Sequence, residues 1–403
     1  MVKLKKFAII NYRSCLKSSI DLQEDLTCLI GVNGVGKTNI LNGIQLLKKI
    51  RGGSKIANQK QKNVGSQTTI SATFLFNDKS IEMKGVILYE TDDRNYDEVL
   101  GANLKFNLSE FTGSNKWIEI SSEVLQYMDQ IKGGGRKTFL KYFFDDAFFE
   151  IEDQLITPIR NFLRRISYYS ASQFSDPTKC PISFELEESK PFRQSRYNIY
   201  HEKFLNDLYL TYKRDKKLFS KFLTTVNKEG IGIIDNWSFS EYDMPSSSYN
   251  VKSGGKIEKI EKNRQLIIPY VTVDSIELSP NQLSEGTFKT LALIFYIITD
   301  DNDLLLIEEP EVCVHHGLLN SIMSLILTYS TRKQIIISTH SDFVLDKLKP
   351  HNILIVKKHP KSGTNAKSIS KLLSKSDYKA LKDYLSEVGN LGEYWKEGGL
   401  ENE

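Results

Sequence analysis

The stretch Gly31-Val32-Asn33-Gly34-Val35-Gly36-Lys37-Thr38 decides how the rest of the chain is interpreted. It fits the pattern G-x-x-x-x-G-K-T, which is typical of a phosphate-binding loop. An apolar run precedes it at residues 26–30, and residues 39–50 carry apolar side chains at helical spacing. This strand–loop–helix context predicts that backbone N–H groups and the helix N-terminus bind phosphate oxygens. Lys37 is predicted to reach the β- and γ-phosphates, and Thr38 to offer its hydroxyl to Mg²⁺.

The composition indicates an ordinary globular protein. Of the 403 residues, 40% are hydrophobic and 26% charged, and the formal net charge is +4. The longest apolar stretch, residues 291–298, is too short to cross a membrane, and the N-terminus leads into a strand pattern rather than a signal peptide. The four cysteines form no C-x-x-C pair, which argues against a zinc site. We therefore expect a cytoplasmic protein that does not contact a membrane.

The hydrophobic pattern predicts two α/β regions separated by a different one. The first predicted strands and helices are strands at 3–12, 20–22, 68–76, 81–88, 104–108, 117–120 and 166–170, and helices at 137–149 and 151–163. Residues 197–226 carry one long helical pattern, and the Ser/Gly-rich residues 245–255 predict an exposed loop. From residue 271 onward strands and helices alternate, which predicts a mostly parallel sheet with helices on both faces.

Two basic stretches leave open whether the chain binds nucleic acid. Residues 48–62 contain six basic residues and no acidic one, and a second basic stretch lies at residues 213–221. Each can be a solvated segment or a contact to a phosphate backbone.

A second motif places two carboxylates directly after a buried strand. The apolar residues 304–307 are followed by Glu308-Glu309-Pro310. Because parallel strands end at the edge of the sheet where α/β folds bind ligands, these acids are expected beside the phosphate loop. Glu308 is predicted to hold Mg²⁺, and Glu309 to polarise the attacking water.

A third motif, Gln282-Leu283-Ser284-Glu285-Gly286-Thr287, stands at the predicted start of a helix. Ser284 and the N–H groups around Gly286 can bind an anion there. The same residue types also make a plain helix cap, so the motif alone does not separate the two interpretations.

Taken together, these motifs resemble those of an ABC-type ATPase of the SMC/RecF/OLD-like group. Residues 283–287 resemble the signature motif, with Glu285 where many ABC proteins have glycine. Residues 304–309 resemble the Walker B motif, with Glu308 in place of the usual aspartate. The remaining matches are the opening-strand motif Asn11-Tyr12-Arg13-Ser14 and the switch-histidine motif Ser338-Thr339-His340-Ser341.

The resemblance implies ATP and Mg²⁺ as cofactors and assigns roles to site residues. Catalysis would rest on Glu309, His340 and the Q-loop glutamine, for which Gln173 is the candidate, although a plain polar loop residue is an open alternative. Mg²⁺ would be held by Thr38, Glu308 and Gln173. The nucleotide would be bound by Arg13, Asn33, Gly34, Gly36, Lys37, Thr38 and Asn39, and by Ser284 and Gly286 of a second subunit. The implied assembly is a head-to-tail homodimer with two ATP molecules between the subunits.

The resemblance also implies a fold and its division. The expected α/β fold is an ABC ATPase head with a mixed or parallel sheet flanked by helices, an N-terminal antiparallel β portion and a helical insertion. Its expected parts are residues 1–175 and 271–360 of the head, an insertion or arm at 176–270, and a helical tail at 361–403.

The biological role implied is that of a stand-alone ATPase in a bacterial anti-phage defence system of the PARIS or Septu type. The chain would be the sensor subunit, with a nuclease-like effector on a separate polypeptide. A RecF- or SMC-like DNA repair or maintenance ATPase that binds DNA is the alternative. A scaffold that binds ATP without hydrolysing it is a third possibility, against which Lys37, Glu309 and His340 argue.

Overall fold

The structure is a computed structural model, and it divides into two compact units. The first unit comprises residues 1–168, 301–309 and 326–403, and the second comprises residues 169–300 and 310–325. The residues that the structure describes are 1–50, 67–91, 97–112, 117–120, 152–187, 199–251, 257–312, 314–387 and 389–398. The helix predicted at 137–149 lies outside these residues.

The described residues form sixteen strands, several of which the sequence did not predict. They are β1 (Lys3–Tyr12), β2 (Cys15–Asp21), β3 (Leu26–Ile30), β4 (Gln67–Phe76), β5 (Lys79–Thr91), β6 (Asp97–Asn107), β7 (Trp117–Ile120), β8 (Ile166–Ser170), β9 (Phe184–Glu187), β10 (Asn236–Val251), β11 (Ile257–Val273), β12 (Ile276–Leu278), β13 (Leu304–Glu308), β14 (Gln334–Thr339), β15 (Ile353–His359) and β16 (Gly363–Ser368).

The described helices are α1 (Lys37–Ile50), α2 (Ser109–Thr112), α3 (Thr157–Arg164), α4 (Ile199–Arg214), α5 (Lys216–Val226), α6 (Glu285–Thr299), α7 (His316–Ser330), α8 (Asp342–Leu345), α9 (Ile369–Leu372), α10 (Lys375–Glu387) and α11 (Leu391–Lys396). A π-helical turn, Glu152–Ile156, directly precedes α3.

The first unit contains a six-stranded sheet with the order β2-β1-β4-β5-β6-β7. Every neighbouring pair in it is antiparallel. Its strands alternate as the sequence predicts, since Ile70, Ala72 and Phe74 of β4 are buried while the residues between them are partly exposed. This is the predicted N-terminal antiparallel portion.

A second six-stranded sheet has the order β16-β15-β3-β14-β13-β8. Strands β13, β14, β3 and β15 are parallel neighbours, and β16 is antiparallel to β15. All residues of β3 and β14 are buried, as expected for central parallel strands covered on both faces. The predicted α/β class with a mixed sheet flanked by helices is confirmed.

Helix α1 joins the two sheets of the first unit in one hydrophobic core. Ile40, Leu41, Ile44 and Leu47 are fully or almost fully buried on the face of α1 that the sequence predicts. They belong to the same cluster as buried side chains of β1, β4, β5, β14 and β15. The phosphate loop thus lies between a central strand of the sheet and a helix whose apolar face is buried in the core.

The second unit combines helices with a smaller antiparallel sheet. Its strands have the order β10-β11-β12, and β9 also pairs with β11. Phe204 of α4 is fully buried, and its ring centroid lies 5.5 to 5.8 Å from those of Trp237, Phe288 and Phe295. Edge-to-face aromatic packing therefore fixes α4 and α6 to β10.

Two local predictions for the insertion are wrong. The exposed loop predicted at 245–255 is β-strand as far as Val251, and Pro245 stands opposite Asn263 in the β10–β11 hairpin; residues 252–256 are not described. Proline is tolerated there because β10 is an edge strand of this sheet. The long helix predicted at 197–226 is broken at Asp215, whose side chain accepts a hydrogen bond from the Leu218 N–H and caps α5.

Candidate functional site

The phosphate loop connects β3 to α1 in a conformation that depends on its glycines. Gly34 and Gly36 have φ angles of 83° and 103°, which L-residues rarely adopt. A Cβ atom on Gly31 would lie 2.5 Å from the Val356 carbonyl oxygen, so this position also requires glycine. The loop therefore has the backbone form in which successive N–H groups can face an anion.

Lys37 opens α1, and its side chain is almost fully buried. Its Nζ donates hydrogen bonds to the Gly31 carbonyl oxygen at 2.7 Å and the Val32 carbonyl oxygen at 3.3 Å. These contacts hold the ammonium group against the loop, at the helix end where anions are stabilised. The predicted phosphate-binding cation is therefore beside the loop.

Thr38, in the first turn of α1, meets Glu308 at the carboxyl end of β13. The Thr38 hydroxyl donates a hydrogen bond to Glu308 Oε1. Both side chains offer hard oxygen atoms of the kind that Mg²⁺ prefers, and the Thr38 side chain faces solvent. These two residues fit the metal role that the sequence predicts.

Tyr168 is a member of this site that the sequence does not reveal. Its hydroxyl donates a hydrogen bond to Glu308 Oε2 at 2.5 Å, so the two carboxylate oxygens have different donors. Tyr168 belongs to β8, which is next to β13 in the sheet order. The tyrosine thereby fixes the direction of the longer glutamate side chain that replaces the usual aspartate.

Glu309 and His340 form the second pair of the site. Glu309 Oε1 lies 3.5 Å from His340 Nδ1, and the two side chains are 34% and 42% exposed. Glu309 has a φ of 49° although it precedes a proline, a position that normally favours extended backbone. Its N–H donates to the Ser338 carbonyl oxygen at 2.9 Å. The backbone at Glu309 is thus strained, and its carboxylate lies next to the His340 imidazole, with both groups accessible to water.

Arg13 lies at the tight turn between β1 and β2, near the start of α1. Its Nη1 is 3.4 Å from Asn39 Oδ1, and Asn39 Nδ2 donates to Ser14 Oγ at 2.6 Å. The structure therefore brings the Asn11–Ser14 motif to the first turn of the helix that follows the phosphate loop.

Gln173, Ser284 and Gly286, which are also predicted site residues, belong to the second unit. Gln173 lies in a 3₁₀ turn, where its Oε1 accepts a hydrogen bond from the Ser170 N–H at 3.3 Å. Ser284 caps α6 and accepts from the Thr287 N–H at 3.2 Å, and Gly286 is in the first helical turn. Glu285 forms an ion pair with Lys289 at 2.5 Å, and this contact lowers the pKa of its carboxyl group. Their roles towards a nucleotide stay predictions.

Metal-binding clusters and membrane-spanning helices are both absent from the described residues. Among them, no group of three or more His, Cys, Asp or Glu side chains is arranged to hold a metal ion. In the same part of the chain, no helix has the length and apolar character needed to span a membrane.

Comparisons with known proteins give one short sequence match and likenesses to solved SMC head domains. A short segment of 44 residues is 41% identical to the DNA replication and repair protein RecF of Parabacteroides distasonis, covering 11% of the chain and 12% of that protein. The SMC head domain from Thermotoga maritima superposes with a TM-score of 0.44 at 13% identity, over 91% of this chain and 99% of that one. An SMC head bound to the C-terminal winged-helix domain of ScpA gives 0.48 at 12% identity, over 92% and 98%.

The family match covers most of the chain. Residues 26–346, which include the phosphate loop, Glu308, Glu309 and His340, match the family described as "AAA domain, putative AbiEii toxin, Type IV TA system". The predicted resemblance to the ATPases of the SMC/RecF-like ABC group is confirmed at the level of the family, and the role in defence stays a prediction. The chain belongs to this AAA domain family.

Proposed function

We propose that the chain binds ATP with Mg²⁺ and hydrolyses it to ADP and phosphate. The observation that carries the proposal is the convergence of Lys37, Thr38, Glu308, Glu309 and His340 at the carboxyl ends of neighbouring parallel strands in one sheet. A phosphate loop alone would support binding only. Glu308, whose carboxylate is suited to a metal ion, and the accessible Glu309–His340 pair support hydrolysis as well.

The loop N–H groups and Lys37 would bind the β- and γ-phosphates, and Arg13 would contact them from the β1–β2 turn. Thr38 and Glu308 would hold Mg²⁺, with Gln173 as a further candidate ligand, and the ion would supply positive charge to the phosphate oxygens when bound. Glu309 would accept a proton from the attacking water, while His340 donates a hydrogen bond to the γ-phosphate. Such positioned charges are the main source of catalysis in phosphoryl transfer.

We further propose that two copies associate head to tail on ATP. Ser284 is the N-cap of α6, and the N–H groups of the first helical turn, including Gly286, can bind an anion. In the proposed dimer these groups close on the γ-phosphate held by the partner's loop. The nucleotide then controls association, and hydrolysis ends it.

The test of the proposal is the substitution Glu309→Gln. It keeps the size of the side chain and removes the proton acceptor, so ATP should bind without being turned over and a dimer should accumulate. Size-exclusion chromatography with light scattering, with and without ATP and Mg²⁺, measures this. Glu82→Gln, an exposed position on β5, is the matched control and should behave as wild type. A Glu309→Gln variant that retains the wild-type ATPase rate would contradict the catalytic assignment.

The proposed biological role is the ATPase and sensor subunit of an anti-phage defence complex, with a separate nuclease-like effector protein. It rests on the family resemblance. Cells that carry the chain with its neighbouring genes would be challenged with phage. Protection should disappear with Lys37→Ala, and unchanged protection would refute the role of ATP in defence.

A RecF- or SMC-like ATPase that binds DNA is the second candidate, and two observations favour it. One is the short segment similar to RecF. The other is the α4–α5 corner, where Arg214, Lys216, Lys217 and Lys221 are exposed and Asp215 is the only acidic residue in 213–221. DNA binding that requires ATP and falls steeply with salt would support it. Binding unaffected by charge reversal at Lys216 and Lys217 would exclude this corner as the contact.

A further inference from the structure

We propose that Thr364 is a positioning residue of the phosphate loop. Its hydroxyl holds the peptide between Val35 and Gly36 so that the Gly36 N–H faces the phosphate. The inference rests on the proposed function of the loop, and it concerns a residue about 330 positions away from it in the sequence.

The contact between Thr364 and the loop is direct. Thr364 is fully buried on β16, and its Oγ1 lies 2.6 Å from the Val35 carbonyl oxygen and 2.8 Å from Ser14 Oγ. A hydroxyl group has a single hydrogen to donate, whereas a carbonyl oxygen has none and acts only as an acceptor. Because the carbonyl contact is the shorter of the two, the hydroxyl hydrogen belongs on Val35.

The geometry of the peptide bond turns this contact into an orientation of the loop. A trans peptide is planar, and its C=O and N–H point in opposite directions. With the Val35 carbonyl held towards Thr364, the Gly36 N–H is directed away from Thr364. Glycine at position 36 lets the backbone pass this close, because a Cβ there would lie 2.2 Å from Thr364 Oγ1.

Thr364 is itself held in place by the β1–β2 turn. Its N–H donates to the Ser14 carbonyl oxygen at 2.7 Å, and Ser18 Oγ donates to its carbonyl oxygen. Gly363 makes the approach possible, since it has a φ of 72° and a Cβ on it would meet the Ser14 carbonyl oxygen at 2.2 Å. The backbone of Thr364 is therefore held by hydrogen bonds at both its N–H and its carbonyl group, and this keeps the hydroxyl beside the loop.

The same contacts join the loop to Arg13. Ser14 Oγ receives a hydrogen bond from Asn39 Nδ2, and Asn39 Oδ1 is near Arg13 Nη1. One polar cluster thus links Thr364, the loop peptide and the predicted phosphate-contacting arginine. Removal of the hydroxyl should therefore act on phosphate binding more than on folding.

The experiment compares Thr364→Val, which keeps the shape and loses the hydroxyl, with Thr364→Ser, which keeps the hydroxyl. Thr364→Val should raise the Kd for ATP about tenfold, because it leaves a partly buried loop carbonyl without its donor. Thr364→Ser should bind ATP within about twofold of wild type. Thr211→Val is the control: its hydroxyl donates to the Asp207 carbonyl oxygen at 2.8 Å within α4, so the lost bond is of the same type.

The readouts are ATP affinity by calorimetry, kcat and KM of the ATPase, and melting temperature. The inference is overturned if Thr364→Val binds ATP as wild type does, or if Thr364→Ser is as impaired as Thr364→Val, since packing would then explain the effect. It is also overturned if Thr211→Val weakens ATP binding equally. A wild-type protein that fails to bind ATP would instead refute the proposed function, and the inference with it.

Discussion

The substitution Glu308→Asp tests how this site works, because it installs the residue that the ATPase group normally uses. Glu308 places one carboxylate oxygen on the Thr38 hydroxyl and the other 2.5 Å from the Tyr168 hydroxyl. Aspartate is shorter by one carbon–carbon bond, about 1.5 Å. If the backbone does not move, the distance to Tyr168 grows to about 4 Å, beyond hydrogen-bonding range.

The energetic consequence follows from the nature of the lost bond. A hydrogen bond to a charged group contributes about 1.5–3 kcal/mol. A loss of that size in transition-state stabilisation lowers kcat/KM for ATP by about tenfold to a hundredfold. The Tyr168→Phe variant removes the same bond from the other side and should show a loss of similar size.

A double-mutant cycle isolates this interaction. In the Glu308→Asp background, Tyr168→Phe should have almost no further effect on kcat/KM, because the bond is already broken. Steady-state ATPase measurements over a range of Mg²⁺ concentrations provide the data, and melting temperatures exclude unfolding. If the two losses simply add, Tyr168 does not act through Glu308 and the reasoning is refuted.

Replacing Glu309 by glycine should make the chain about 1 kcal/mol more stable to urea than Glu309→Gln, because glycine relieves the left-handed φ of 49°; equal midpoints would show that the position is not strained. Burial lowers the pKa of His201 from 6.5, so the unfolded chain binds this proton first as the pH falls. Its contribution to stability is therefore complete above about pH 6.5 and declines below it, and His201→Phe should flatten that part of the urea-midpoint profile. Gly392→Ala should destabilise the docking of α11 by about 1–3 kcal/mol, because the new Cβ would lie 2.5 Å from the Asp342 carbonyl oxygen; hydrogen exchange of residues 391–396 measures this, and unchanged protection would contradict it.

The sequence predicts the central part of the fold because that part is locally encoded. The alternation of β4, the apolar run of β3 and the helical stripe of α1 each follow from one short stretch, and the structure confirms all three. The residues of the phosphate loop are likewise adjacent in sequence, and glycine is needed where the loop has positive φ.

The β10–β11 hairpin was not predictable from local composition. Pro, Ser and Gly between residues 245 and 255 indicate a turn, whereas pairing with β11 makes most of this stretch a strand. Strand pairing depends on a partner elsewhere in the chain, so the local preference was overridden. By contrast, the break at Asp215 had a readable signal, since aspartate is a strong N-cap residue.

Tyr168 and Thr364 belong to no local motif. Each contacts the site from a strand distant in sequence, and only the order of strands in the sheet places it there. A tyrosine and a threonine in strands are far more often ordinary packing residues. The boundaries predicted at 175/176 and 270/271, and the partnership of Ser284 with a second phosphate loop, stay predictions.

The central claim is that the phosphate loop is completed by Ser284 of another copy, and mixing two inactive variants tests it most directly. Lys37→Ala disables the loop and Ser284→Arg blocks the contact made to a partner. In a head-to-tail mixed dimer, one site receives both damaged parts and the other receives both intact ones. An equal mixture should therefore regain about a quarter of the wild-type ATPase rate, since about half of the dimers are mixed. If mixed dimers form, as shown by pull-down with two tags, and the rate equals the sum of the separate variants, Ser284 does not complete the site of a partner.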